Sequence, residues 1–368
     1  MHVGMGTFFQ NPQRVRSDGD IWRQGLELAG SAESLGFDSV WGAEHHFTDY
    51  HMCPNVAQFL TWVAARTTRV QLGSMVMVLP WHDPVRLAEE VSVLDHMSGG
   101  RVVLGVGRGL GRHEFDGFRL NMGESRPRFA EHLEAILEGL DTGVMEYDGE
   151  LYHQPRVELR PAPLASFRGR AYASAISPGT FEILARHRVG MLIIAQKPWE
   201  TIEAEVAAYR ETYRELNGEE PPKPILVSWV AVDDDPATAD EMFERWIVAY
   251  CESAMLHYRF DDGGLADIPG YEYYGKLAER VAKHGRDHFN RFLASLQVWG
   301  TPSAVAEQLI ENVRRIDAAG VVGIFNYAGM PDDVARGNIG LFAEKVLPAL
   351  KAVDTGPAVG AALAVGAS

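Results

Sequence analysis

The sequence predicts a (β/α)8 TIM barrel, from three observations. Short apolar segments alternate with helix-period amphipathic segments along most of the 368 residues. Eight apolar segments read as barrel strands, the number that closes this fold. No linker-like stretch divides the chain, so one domain over 1–353 is expected, followed by a flexible tail over 354–368. A doubly wound open sheet is the structural rival that periodicity leaves open.

The elements follow in order. Val3 to Phe9 reads as strand one, and Ile21 to Leu35 as a helix closed by Gly36. Phe37 to Trp41 is strand two, followed by a helix from Pro54 to Arg66 with proline at its start. Val70 to Leu79 reads as one long third strand, and Pro84 to Met97 as a helix ended by Ser98-Gly99-Gly100. Arg101 to Val106 is strand four, before an amphipathic helix from Arg126 to Leu140. Tyr147-Asp148-Gly149-Glu150 reads as a turn between two short inserted strands. Strands five and six are Arg170 to Ala175 and Gly190 to Ala195, with a helix from Pro178 to Arg188 between them. A helix from Trp199 to Leu216 leads to strand seven, Pro224 to Val232.

An excursion comes next. It holds a helix over Ala237 to His257, an aromatic loop over Arg259 to Tyr274 and more helix to His284. The helix Ser303 to Ala319, strand eight from Gly320 to Tyr327 and the helix Asp332 to Leu350 complete the chain. The length exceeds the roughly 250 residues typical of the fold. The excess falls at 110–125, 143–168 and 233–300, and the last is expected to form a lid after strand seven.

Composition narrows the function. The chain has 34 basic and 50 acidic residues, a net charge of −16, which argues against nucleic acid or an anionic membrane as partner. Two cysteines, Cys53 and Cys251, give no disulfide framework, so a reducing, cytoplasmic setting is expected. No secretory signal is read at Met1–Gly6, and no apolar run approaches the roughly 20 residues of a membrane span.

The stretch carrying most chemistry is Glu44-His45-His46-Phe47, at the end of strand two. Catalytic groups collect at that edge of a barrel, and histidine exchanges protons near neutral pH. A metal centre at His45, His46, His51 and Cys53 is disfavoured, because adjacent residues on extended backbone point to opposite faces. After strand four, Gly105-Val106-Gly107-Arg108-Gly109-Leu110-Gly111 lacks the dinucleotide G-x-G-x-x-G spacing. Its glycines let backbone approach an anion, and Arg108 adds a forked cation. After strand five, Ser177, Pro178 and Thr180 open a helix whose free N–H groups suit a phosphate. Strands four and five are neighbours in a parallel barrel, so these two loops converge.

These motifs, with Val78-Leu79-Pro80-x-x-x-Pro84-Val85-Arg86-x-Ala88-Glu89, Leu94-Asp95-x-Met97-Ser98-x-Gly100-Arg101 and Gly300-Thr301-Pro302, resemble the luciferase-like flavin monooxygenase family, and within it the alpha subunit of bacterial luciferase. The resemblance runs from Val3 to about Leu350. It implies FMN at the C-terminal mouth of the barrel, with Arg108, Ser177 and Thr180 on its phosphate and Gly107 and Leu110 beside it. Ile176 departs from the family's glutamate. Met75-Val76 matches the position of a non-prolyl cis peptide beneath the flavin ring. His45 matches the catalytic histidine, with Glu44 or His46 orienting it. The implied activity is oxidation of an apolar or aldehyde-like molecule by O2 through a flavin peroxide, with reduced FMN supplied by a separate flavin reductase. Homodimerisation through Pro54–Arg66 and Pro84–Met97 is implied too. A deazaflavin-dependent oxidoreductase and a non-catalytic flavin-binding or assembly subunit are the alternatives.

Overall fold

The computed structural model describes residues 1–174, 178–356 and 359. In chain order the strands and α-helices are β1 (His2–Thr7), α1 (Asp18–Ser31), β2 (Ser39–Gly42), α2 (Val56–Ala64), β3 (Gln71–Ser74), β4 (Met77–Val78), α3 (Pro84–Ser98), β5 (Val102–Gly107), α4 (Arg112–Phe118) and α5 (Ser125–Thr142). They continue with β6 (Val144–Asp148), β7 (His153–Glu158), β8 (Ala171–Ser174), α6 (Pro178–Arg186), β9 (Gly190–Ile194), α7 (Trp199–Asn217), β10 (Ile225–Val232), α8 (Pro236–Met242) and α9 (Val248–Tyr258). The last are α10 (Glu272–His284), α11 (Arg286–Ser295), β11 (Val298–Gly300), α12 (Pro302–Arg315), β12 (Gly320–Ile324), α13 (Asp332–Leu341) and α14 (Leu347–Lys351).

Strands β1, β2, β3, β5, β8, β9, β10 and β12 close into a parallel barrel. Closure is explicit, because β12 pairs both β1 (Gly4 with Val322) and β10 (Val227 with Val322). That excludes the open-sheet rival. All eight strands therefore end at one mouth, and the segments leaving β2, β5, β8 and β10 surround it.

The barrel interior matches large to small. A Cβ on Gly73 would lie 2.2 Å from the Trp41 ring, and one on Gly4 2.7 Å from Trp41 Nε1. Ser39 Oγ binds both Trp41 Nε1 and His2 Nε2 at 2.7 Å, at the opposite end from the mouth. Burial pushes His2 down to about 4, so it sits in the core as a neutral ring.

Four departures from the sequence pattern have local causes. The expected strand Val70–Leu79 is broken: β3 ends at Ser74 and β4 resumes at Met77, with the Met75–Val76 peptide cis between them. Ser74 Oγ bridges to the Gly105 backbone there, and Met75 N donates to Gly42 O. The expected helix Ala237–His257 is interrupted by a π turn at Phe243–Ile247. Helix α4 was hidden in the segment 110–125, where three glycines and alternating charge mask a short helix. Strand β11 pairs only the outer end of β10, at Val230, Ala231 and Val232, and is too short for a periodicity signal. The inserted hairpin β6–β7 is antiparallel, as its turn residues indicate. Of the expected tail, 357, 358 and 360–368 lie outside the described residues. Thr355 bonds Ala319 O, and Val359 is buried with its carbonyl accepting from Gln71.

Candidate active site

Above the barrel mouth lies a cleft of about 1270 Å³, counted to its open side. Glu44 and His45 reach it from β2, Met75 and Val76 from the break after β3, and Gly107, Arg108 and Leu110 from the end of β5. The opposite wall comes from β10 and the excursion that follows it, including Trp229, Tyr250, Tyr258 and Tyr271.

Two buried carboxylates organise the β2 side. Glu44 Oε1 accepts from His46 Nε2 at 2.9 Å and His82 Nε2 at 2.8 Å, and Oε2 accepts from the Val78 N–H at 2.7 Å. Burial alone would raise its pKa, but the bonds from His46, His82 and Val78 outweigh it and hold the group below the usual range. His82 is shifted upward, because Glu44 outweighs the effect of its burial.

Glu114, on α4, lies between His45 and His257. Its Oε1 accepts from His45 Nδ1 at 3.1 Å and from the His46 N–H at 2.8 Å. Its Oε2 is 3.7 Å from His257 Nε2, an ion-pair distance rather than a hydrogen bond, and neither atom has a hydrogen-bond partner among the described residues. Burial raises the Glu114 pKa, but the His45 charge and the neighbouring imidazoles outweigh it and hold the carboxyl well below the usual range. An ionised carboxylate only accepts, so His45 donates from Nδ1 and keeps Nε2 for the cleft. There Nε2 meets the Tyr258 hydroxyl at 3.2 Å. Burial, with His45 and His113 nearby, takes His257 down to about 4 despite Glu114.

The two histidines of the opening motif thus separate. His45 faces Glu114, Tyr258 and the cleft. His46 turns to Glu44 and packs edge-on against Trp81 and Phe118 at 5.4 and 4.7 Å. Positive φ at Phe47 (65°) turns the chain away at once and leaves Phe47 62% exposed.

A further part of the cleft lining is cationic. Arg108 stacks on the Tyr271 ring at 4.0 Å and donates from Nη2 to Gly270 O at 2.9 Å. Its Nη1 is buried and has no hydrogen-bond partner among the described residues. Arg126, at the start of α5, lies alongside. A Cβ on Gly270 would come within 2.6 Å of Arg108 Nη1 and 3.0 Å of Arg126 Nη2, and one on Gly179 within 3.1 Å of Arg126 Nη1. Glycine at both positions lets the start of α6 and the excursion close around two guanidinium groups. Thr180 is buried on α6 and lines the cleft. A shelf of two arginines, one unpartnered N–H and a helix start fits a phosphate. Ser177 lies outside the described residues.

Glu44, His45, Met75, Val76, Gly107, Arg108, Leu110 and Thr180 all line this one cleft, whereas His46 does not. Sequence reasoning missed Glu114, His82, Arg126, His257 and Tyr258. His82 sat in the unread middle of Pro80-x-x-x-Pro84, and Arg126 was read only as a helix start. Nothing in the sequence pairs Glu114 with a histidine 69 positions away.

His51 and Cys53, weighed above as metal ligands and disfavoured, lie buried in the core. His51 Nδ1 accepts from the Phe9 N–H at 2.9 Å and its Nε2 donates to Ala43 O at 2.9 Å, which fixes it as a neutral core ring. Cys53 is buried and pushed up to about 12. Among the described residues His45, Glu114 and His257 do come together, their ligand atoms within 4.8 Å of one another. A tetrahedral ion with bonds of about 2.1 Å needs ligand separations of about 3.4 Å. His45 and Glu114 instead share a direct hydrogen bond of 3.1 Å.

A family model described as luciferase-like monooxygenase matches residues 1–318. The chain is 28% identical over 353 residues to an alkanal monooxygenase alpha chain of Photorhabdus luminescens, covering 93% of this chain and 95% of that one. Monooxygenase RslO1 from Streptomyces bottropensis superimposes with a TM-score of 0.74 at 24% identity, over 95% of this chain and 99% of that one. The oxygenating constituent of 3,6-diketocamphane monooxygenase from Pseudomonas putida, in complex with FMN, gives 0.73 at 18% identity, over 95% and 98%. An F420-dependent secondary alcohol dehydrogenase gives 0.67 at 17% identity, also over 95% and 98%. At these identities the structural likenesses show a shared fold.

Proposed function

The chain belongs to the luciferase-like monooxygenase family, whose enzymes are flavin-dependent oxidoreductases, and from that premise we propose a reduced-FMN-dependent monooxygenase acting with O2 on a neutral apolar or aldehyde-like molecule. One observation carries this: a phosphate-fitting shelf and a carboxylate-backed histidine line one and the same cleft. Arg108, Arg126 and Thr180 would hold the phosphate. Met75, Val76 and Gly107 would flank the ring. Bound reduced flavin would supply the two electrons and the activation of O2.

The chain's own part is positioning, exclusion of water and proton control. Glu114 fixes the His45 tautomer, so Nε2 is the atom that exchanges a proton with reacting groups, as general acid or base. The excursion roofs the cleft: Tyr271 Oη donates to Gly109 O at 2.7 Å, and Gly270 caps Arg108. This cover excludes water from the reacting centre. Beyond Arg108 the cleft walls are mainly apolar and aromatic, which suits an uncharged substrate.

The F420-dependent neighbour motivates a second reading, hydride transfer on a deazaflavin. That cofactor carries a further chain beyond its phosphate, whereas FMN ends there. The roof of Gly270 and Tyr271 over Arg108 favours the terminal phosphate. Titrating the protein with FMN and with the deazaflavin tests this. Tighter binding of FMN, with aldehyde oxidation when a reductase supplies reduced FMN, is the expected result. Preference for the deazaflavin, with no oxygen uptake, would replace it.

A homodimer through α2 and α3 belongs to the same proposal. Val93 and Met97, one turn apart on α3, are 40% and 59% exposed. Sedimentation should give a dimer that Met97→Glu weakens; a monomeric wild type would remove this part.

A further inference from the structure

His45 has two ring nitrogens, and Glu114 takes one of them. The other, Nε2, points at the cleft and is already met by a phenol, the Tyr258 hydroxyl at 3.2 Å. A group in the cleft that exchanges a proton with His45 must either displace that phenol or work through it. Both side chains line the cleft.

Displacement is opposed by how Tyr258 is held. Its ring stacks on Phe260 at 5.3 Å, and meets His257 at 4.7 Å and Tyr50 at 5.6 Å edge-on. Phe260 in turn lies flat on Tyr274 at 5.6 Å. Tyr50 stacks on His257 at 4.2 Å and shares a hydrogen bond with Tyr250 at 3.0 Å. Moving the phenol aside would disturb this whole set, which joins the β2 loop to α9.

We propose that Tyr258 is a further catalytic residue, the phenol through which His45 exchanges its proton with the reacting group. This inference rests on the monooxygenase reading above. As an acid, the His45 imidazolium gives its Nε2 proton to the Tyr258 oxygen while the phenol O–H proton passes to an oxygen of the reacting species. As a base, the same two transfers run in reverse. One proton is relayed, the phenol starts and ends neutral, and the change of charge stays on the imidazole beside Glu114. Burial, with Tyr50 and Glu114 near, raises the Tyr258 pKa well above its ordinary value, consistent with a phenol that stays protonated. The titratable groups packed around the pair are Glu114, His113, His257, His51, Tyr50, Tyr250 and Tyr274.

The test uses Tyr258→Phe in the full chain, which removes one oxygen and keeps the ring packing. Two readouts are taken on protein whose unfolding midpoint is recorded. The first is the His45 Nε2 resonance of nitrogen-15-labelled histidine in flavin-free protein. It should move away from its hydrogen-bonded position in the variant. The second is turnover of whichever aldehyde the wild type oxidises with reduced FMN. The expected loss in kcat is about 10²-fold with KM held within about twofold, and the pH dependence of kcat should change with it. An unmoved resonance, or a kcat that is unchanged or higher, would overturn the proposal; higher turnover would identify the phenol as a group that substrates displace. If the wild type binds no FMN and oxidises no aldehyde, the parent reading has failed. The relay fails with it, and the resonance then judges only the hydrogen-bonded pairing.

Discussion

Glu44 and Glu114 are two buried carboxylates, each set between two histidines at one barrel mouth, and they do different work. Glu44 has both oxygens bonded, to His46, His82 and the Val78 N–H. Glu114 leaves Oε2 without a hydrogen bond and backs the histidine that faces the cleft. Full satisfaction makes a clamp. Partial satisfaction beside a cleft makes a group that can respond to a change of charge.

The comparison breaks most sharply on stability. Glu44→Ala strands the buried Val78 N–H and leaves two half-buried imidazoles without their carboxylate, so a loss of about 3–5 kcal/mol is expected. Denaturant unfolding would show it. Glu114→Ala should cost less, since one of its oxygens is unbonded already; an equal or larger loss would erase the distinction.

The next largest effect is in acid. His257 has a folded pKa of about 4, against an ordinary value of 6.5. Between those values the unfolded chain binds more protons, so stability falls as pH drops from 6.5 to 4. The full shift corresponds to about 3 kcal/mol. His82 has the opposite sign. Its contribution is complete below 6.5 and is lost as pH rises through its raised folded value. Unfolding measured across pH 4 to 7 should therefore show His257→Asn flattening the acid slope. An identical slope in this variant would contradict the assignment.

A smaller effect, in free energy, falls on chemistry. Glu114→Gln keeps the side-chain shape but loses the charge that sets the His45 tautomer. A fall in kcat of about 10²-fold, with FMN affinity nearly unchanged, is expected from steady-state kinetics and flavin titration. Loss of FMN affinity without loss of kcat would make Glu114 a scaffold like Glu44.

The barrel and half the cleft were legible in the sequence, because strand periodicity and the loops after β2 and β5 carry local signals. Glu44-His45-His46-Phe47 and Gly107-Arg108 each sit within a few residues of a strand end. Their partners were not legible, because pairing Glu114 with His45 or Gly270 with Arg108 depends on closure of the barrel and on the path of the excursion. Glu114 was concealed further by lying in a short helix that reads as loop. His257 and Tyr258 lie at the end of a helix in the excursion, and only its docking onto the β2 loop brings them to His45. The π turn at Phe243–Ile247 interrupts that helix and has no sequence signal.

The most direct test of the central claim is a crystal structure of the full chain with FMN. The account predicts the phosphate on Arg108 and Arg126, with Arg108 Nη1 within about 3.2 Å of a phosphate oxygen, and the ring in the same cleft beside His45. A phosphate bound away from both arginines, or a ring on the far side of the barrel mouth from His45, would contradict it.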